Sequence, residues 1–250
     1  MKTKNVFFIL ILLLPNLFVT AQNADEIVKK ADDKMRGEKS SYSEMTMKII
    51  RPDWERTLSF KSWTKGTELS MALITAPAKE KGQTFLKRGN EMWNWIPDIN
   101  RMIKLPPSML SQGWMGSDYT NDDLLNQSSI VTDYTHKIIG DEEINGRMCY
   151  KIELLPKENA AVVWGKVLMW ISKDGYLTMK SEYYDEDGYL TKTENASDVK
   201  TMDGREIPTK IELLPADKKG NKTVVIIDNI TFNKPIQDNF FSQQNMKRLH

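Results

Sequence analysis

Few side chains in this sequence could do covalent chemistry. There are two histidines, His136 and the terminal His250, and a single cysteine, Cys149. A serine hydrolase needs a nucleophile, a base and an orienting acid. The one set the sequence suggests is Ser117 beside Asp118 with His136 as base. No Gly-x-Ser-x-Gly elbow accompanies it, and His136, in Tyr134-Thr135-His136-Lys137, reads as an exposed or half-exposed strand position. Zinc would need several His or Cys ligands. Asp185-Glu186-Asp187-Gly188 lacks the later ligands of a calcium loop and reads as a hairpin turn. Asp118, Asp122 and Asp123 fit the preference of acids for a helix N-terminus. No phosphate-cradling or dinucleotide fingerprint occurs. The expectation is a protein without catalytic residues, metal or cofactor. Cys149, between Met148 and Tyr150, reads as a small buried hydrophobe.

Binding is the alternative to catalysis, and composition narrows it. Lys2 and Lys4 precede an apolar run from Val6 to Leu14, which Pro15 and Asn16 break. Val19-Thr20-Ala21 then places small or short residues where a signal peptidase cuts. This predicts a cleaved leader over residues 1–21, a mature domain over 22–250 and export to the periplasm. A membrane-spanning helix would need about 20 apolar residues, and no stretch supplies them. Without the leader the 35 basic residues fall, by Lys2 and Lys4, to 33 against 34 acids, a net charge of −1. Nothing in that balance favours nucleic acid. Cys149 lies too far from the leader to be lipidated and has no partner for an internal disulfide. Seven Trp and fourteen Met stand out, large apolar side chains of the kind that fill cores or adapt to greasy ligands.

The elements that must position these residues are mostly strands. Asn23 with Glu26 forms a capping-box signal for a helix that Gly37 ends, with Ile27, Ala31, Lys34 and Met35 along one side and Val28 nearby. Apolar residues then alternate with period two. Strands are predicted over 57–65, 68–76, 84–88, 91–96 and 101–105, after one containing Met45, Met47 and Ile49. A second series covers 134–140, 147–155, 162–172, 177–184, 190–201, 206–214 and 222–232. Asn145-Gly146, Asp174-Gly175, Asp187-Gly188 and Asp203-Gly204 separate members of that series as hairpin turns. Consecutive hairpins give an antiparallel meander, and no crossover helix suggests a parallel sheet. From Pro106 to Gln127 an apolar insertion breaks the pattern, with Gly113 and Gly116 as hinges and a short helix starting near Thr120 or Asn121. The opening helix and this insertion are the covers available for the sheet, which points to a curved sheet with a greasy cleft beneath them.

Against this frame, Gly82-Gln83-Thr84-Phe85-Leu86-Lys87, Met92-Trp93-Asn94-Trp95-Ile96-Pro97, Arg101-Met102, Met115-Gly116-Ser117-Asp118-Tyr119 and Asp122-Asp123-Leu124 resemble the LolA-like outer membrane lipoprotein-sorting proteins of Gram-negative bacteria. The resemblance covers essentially all of the mature chain. It implies a mainly β (α+β) fold, a strongly curved antiparallel sheet forming a half-open β-barrel under a few short helices. It also implies an apolar interior for acyl chains, with acyl lipid or lipoprotein as cargo and transient inner- and outer-membrane protein partners. Met71, Leu73, Phe85, Trp93, Trp95, Met102, Trp114 and Met115 are the expected ligand-binding residues, with Trp114 and Met115 on a mobile lid. Strand parity places Trp93 and Trp95 on one face. A subunit of a membrane export complex and a lipid-cleaving hydrolase remain as alternatives.

Overall fold

A computed structural model describes residues 23–125, 129–160 and 162–249. The expected leader, 1–21, lies outside them, as does Gln22. The first helix, α1 (Ala24–Arg36), begins where expected: the Asn23 side chain accepts from the Asp25 amide, and Gly37 at φ 75° closes the last turn on Asp33. Glu26 pairs with Lys30 one turn on. Ala24, Ile27, Val28 and Ala31 are buried, so α1 is held by packing along one stripe.

Six strands follow: β1 (Ser40–Ile50), β2 (Glu55–Lys65), β3 (Leu69–Ala76), β4 (Thr84–Arg88), β5 (Glu91–Ile96) and β6 (Arg101–Lys104). After the insertion, with short helices α2 (Asn121–Leu125) and α3 (Ser129–Thr132), come seven more. These are β7 (Tyr134–Ile144), β8 (Arg147–Pro156), β9 (Lys166–Ser172), β10 (Thr178–Tyr184), β11 (Leu190–Met202), β12 (Arg205–Pro215) and β13 (Lys222–Phe232), before a last turn of helix, α4 (Gln243–Met246). All thirteen strands form one sheet in the order β6-β5-β4-β3-β2-β1-β13-β12-β11-β10-β9-β8-β7. Two meanders are thus joined by the antiparallel pairing of β1 with β13. The sheet curves without closing. Its edges, β6 and β7, carry Arg101, Lys104, Lys137, Asp141, Glu142 and Glu143, charges that discourage edge-to-edge pairing.

The two faces of the sheet are covered differently. On the concave face α1 packs over β7–β9, against Tyr134, Ile152, Leu154, Val167, Met169 and Ile171. The insertion packs over β1–β5, where Trp114 meets Met47, Phe60, Ile74, Phe85 and Met92. On the convex face a third cover appears that the sequence reading does not contain. The C-terminal segment, with Phe241 and Met246 fully buried, lies on Met71, Leu86, Trp93 and Trp95. Strands buried on both faces lose their alternation: β9 is buried from Val167 to Ser172. The residues before it, 162–165, form a loop rather than the start of the strand. Gly165 is packed tightly there, a Cβ on it falling 2.5 Å from the Asp185 carbonyl oxygen.

Candidate functional site

A cavity of about 380 Å³ lies between the concave sheet, α1 and the insertion, within the usual size of a ligand pocket. Its apolar part is built around Trp114. The insertion turns sharply there: Met115 has φ 54° and ψ 23°, and a Cβ on Gly113 would sit 2.5 Å from the Ser117 carbonyl oxygen. That turn presents the Trp114 indole edge-on to Phe60 and Phe85, each 5.4 Å away between ring centroids, an arrangement that aromatic quadrupoles favour. Met45, Met47, Met92 and Ala72 line the same region. The Met side chains supply polarisable surface that repacks around ligands of different shape.

Two ion pairs anchor the insertion. Arg51, on the chain leaving β1, meets Asp118 at 3.0 Å with side chains 12% and 4% exposed. Asp118 also accepts from the Thr223 hydroxyl, at 2.7 Å. On the other side Lys192 of β11 meets Asp123 of α2 at 2.6 Å, with side chains 5% and 10% exposed. The Lys192 ammonium lies 4.7 Å from the ring centroids of both Trp164 and Tyr183, so rings take over part of its lost hydration. Glu194 stands beside it, accepting from the Tyr183 hydroxyl at 3.3 Å. Burial pushes the Glu194 carboxyl above the ordinary range and Asp123 adds to that, while Lys192 opposes it. Burial likewise lifts the Tyr119 and Tyr183 hydroxyls well above their usual value. These groups satisfy one another in the cavity wall.

The expected site residues divide by face. Phe85 and Trp114 line the cavity. Met71, Trp93, Trp95 and Met102 do not: they lie on the convex side under Phe240, Phe241 and Met246. Leu73 shares the strand parity of Met71 and is buried on that side as well. Met115 packs against the Trp114 cluster without lining the cavity. Trp93 and Trp95 do share a face, as parity requires, but it is the convex one. Alternation fixes which residues go together and leaves open which side of the sheet is hollow. Met45, Met47, Phe60, Ala72 and Met92 are the wall residues the reading missed; Met45 and Met47 already stood in its alternating pattern.

The residues suggested for hydrolysis are engaged separately. The Ser117 hydroxyl donates to the Tyr119 carbonyl and accepts from the Tyr119 amide, and Asp118 belongs to Arg51 and Thr223. His136 is not exposed: its side chain is 1% accessible, with Nδ1 2.6 Å from Asp25 and Nε2 2.7 Å from the Ile130 carbonyl. It shares the inward parity of Tyr134 and Ile138 and ties β7 to α1 and to α3. Cys149 is buried, and burial pushes its thiol up to about 11, a poor nucleophile.

The arrangement is that of a half-open antiparallel barrel whose hollow is closed by a helix and an inserted loop. Comparison with known proteins gives the class a family. A family model described as "-like: Uncharacterized protein" matches residues 66–248. No curated protein matches the chain. A LolA superfamily protein from Nitrosomonas europaea is 27% identical with a TM-score of 0.76, covering 90% of this chain and 100% of that one. A DUF1329 family protein from Desulfovibrio piger is 26% identical with a TM-score of 0.79, covering 89% of this chain and 97% of that one. An outer membrane lipoprotein-sorting protein domain from Vibrio parahaemolyticus shares the fold at 20% identity, with a TM-score of 0.78 over 90% of this chain and 98% of that one. The chain belongs to the LolA-like family.

Proposed function

We propose that this chain is a non-catalytic periplasmic carrier that shields the acyl chains of lipoproteins or other lipids and moves them toward the outer membrane. The observation that carries the reading is the apolar box of Trp114, Phe60, Phe85, Met45, Met47 and Met92 inside the hollow of the sheet. Each methylene withdrawn from water there contributes about 0.8 kcal/mol. Transient handover would involve protein partners at the inner and outer membranes. Residues 1–21 serve as the cleaved export leader and residues 22–250 as one carrier domain.

Binding of a dansyl-labelled fatty acid, followed by its fluorescence, tests the reading. Ala72→Trp fills the hollow from the floor, and Phe60→Asp puts a charge into it. Saturable binding to the wild type, weakened about tenfold or more in either folded variant, is the expected result. A wild type that leaves the probe in water, or variants that bind it as well as wild type does, would contradict it.

A further inference from the structure

The floor of the cavity is graded along the strands, and the gradient follows from register. Ser41 of β1 faces Thr64 of β2, Thr64 faces Ser70 of β3, and Ser70 faces Lys87 of β4. One step along the strands, the equivalent row reads Ser43, Ser62, Ala72 and Phe85. One step further, Met45 faces Phe60, beneath Trp114. The hydroxyls and ammonium of the first row thus give way to two serines, Ala72 and Phe85, and then to the aromatic box. All of these side chains line the cavity.

The polar end is roofed by the last turn of α1. Arg36 lines the cavity there, its Nη2 bound to Asp32. Its Nε–H is buried and has no hydrogen-bond partner among the described residues. Half-buried Lys87 donates to the Thr67 carbonyl at 2.7 Å; burial first, opposed by Glu68 and helped by Arg36, holds its ammonium below the ordinary value. Asp32 is the carboxylate lining this end, and burial raises it above its ordinary value against the pull of Arg36. Glu68, the acid nearest Lys87, is exposed outside the wall. Arg36 is paired with Asp32 and Lys87 has Glu68 as its opposing charge, but on the cavity side one carboxylate faces two cations. The buried Arg36 Nε–H, with no acceptor there among the described residues, is costly unless a ligand supplies one.

Deepening the carrier reading, and resting on it, we propose that this end of the cavity is an anion-binding subsite. It seats the carboxylate or phosphate head of an acyl amphiphile, with Arg36 and Lys87 as charged donors and, as neutral ones, Ser70 and the one hydroxyl proton left over by the Ser41–Thr64 hydrogen bond of 2.7 Å. The chain of that amphiphile runs along the gradient toward Trp114. The cargo class is then an anionic acyl lipid, and a head with no acceptor to offer would leave the buried Arg36 Nε–H unsatisfied.

Calorimetric titration with dodecanoate, dodecyl phosphate and dodecanol separates head from chain. The wild type is expected to bind at least one anion about tenfold more tightly than the alcohol, the effect of one charge-assisted hydrogen bond. The tighter of the two anions identifies the source, fatty carboxylate or phosphate ester. Lys87→Gln should bring the preference for the anion over dodecanol below about twofold. Arg36→Gln strands Asp32, so Asp32→Asn with Arg36→Gln is made beside it and is expected to read the same. Equal affinity for all three ligands would overturn the subsite and leave the carrier standing, as would a preference that survives the substitutions. A protein that binds none of the three would overturn the carrier itself, and the subsite with it.

Discussion

Trp114 carries an indole N–H that is buried without a hydrogen-bond partner among the described residues, so its contribution comes from its ring. Trp114→Phe keeps an aromatic against Phe60 and Phe85 and removes the stranded donor, and is expected to change stability by less than about 1 kcal/mol. Trp114→Ala removes the roof of the apolar box and should cost about 3 kcal/mol by urea unfolding. Both variants costing the same would contradict this division between ring and donor. At this scale the sequence exposes types and parity. Phe85 and Trp114 are legible as large apolar positions, and the structure puts both in the cavity wall. The pair Trp93 and Trp95 is legible as a pair, yet its side is not. The choice between faces depends on Phe240, Phe241 and Met246, more than a hundred residues away in the chain, and their apolar spacing was the available signal. His136 was misplaced for a related reason: a polar residue at inward parity reads as exposed until its partners, Asp25 and the Ile130 carbonyl, are known.

Among the elements, the insertion is held in place by two ion pairs at one end of the strands, Arg51 beside β1 with Asp118 and Lys192 on β11 with Asp123. Arg51→Ala leaves the buried carboxylate of Asp118 with the Thr223 hydroxyl alone. It is expected to cost about 3 kcal/mol, measured by urea unfolding, and to loosen the segment that carries Trp114. An effect below 0.5 kcal/mol, the ordinary size for a surface change, would mean that Asp118 is not desolvated as described (about ±0.5 kcal/mol is usual there). The junction between α1 and the sheet is pH-sensitive in one direction. Arg205 first, and then Asn233, hold the Glu38 carboxyl down at about 2 against an ordinary 4.5. An acid depressed in the folded state stabilises fully above its unfolded value, and that contribution is lost as pH falls through the folded one. The loss should therefore fall between about 4.5 and about 2, and Glu38→Gln should flatten that part of the urea-midpoint curve. A curve unchanged by the substitution would contradict the tie. Element existence was readable because the period-two runs and Asn-Gly or Asp-Gly turns agree with each other. The start of β9 was not: Val162, Val163 and Trp164 are apolar because they edge the cavity, which gives them a strand-like composition without a ladder.

At the scale of the molecule, the decisive contact is the pairing of β1 with β13, which joins two local meanders into one curved sheet. Hairpin logic predicts neighbours in sequence and is silent on that junction, so the hollow had to be inferred from the shortage of covers and from family resemblance. The inference that helices and insertion lie over the concave face matches the structure. The convex cover supplied by the C-terminal segment does not follow from it, and this accounts for most of the displaced site residues. What remains as the central claim is that the hollow holds acyl chains. Native mass spectrometry of the mature chain, purified from a periplasm and followed by organic extraction, tests it most directly. The wild type is expected to carry the added mass of an acyl lipid, and a folded Ala72→Trp variant to fly empty. A wild type that is empty from the cell and stays empty when offered lipoprotein and phospholipid would contradict the account.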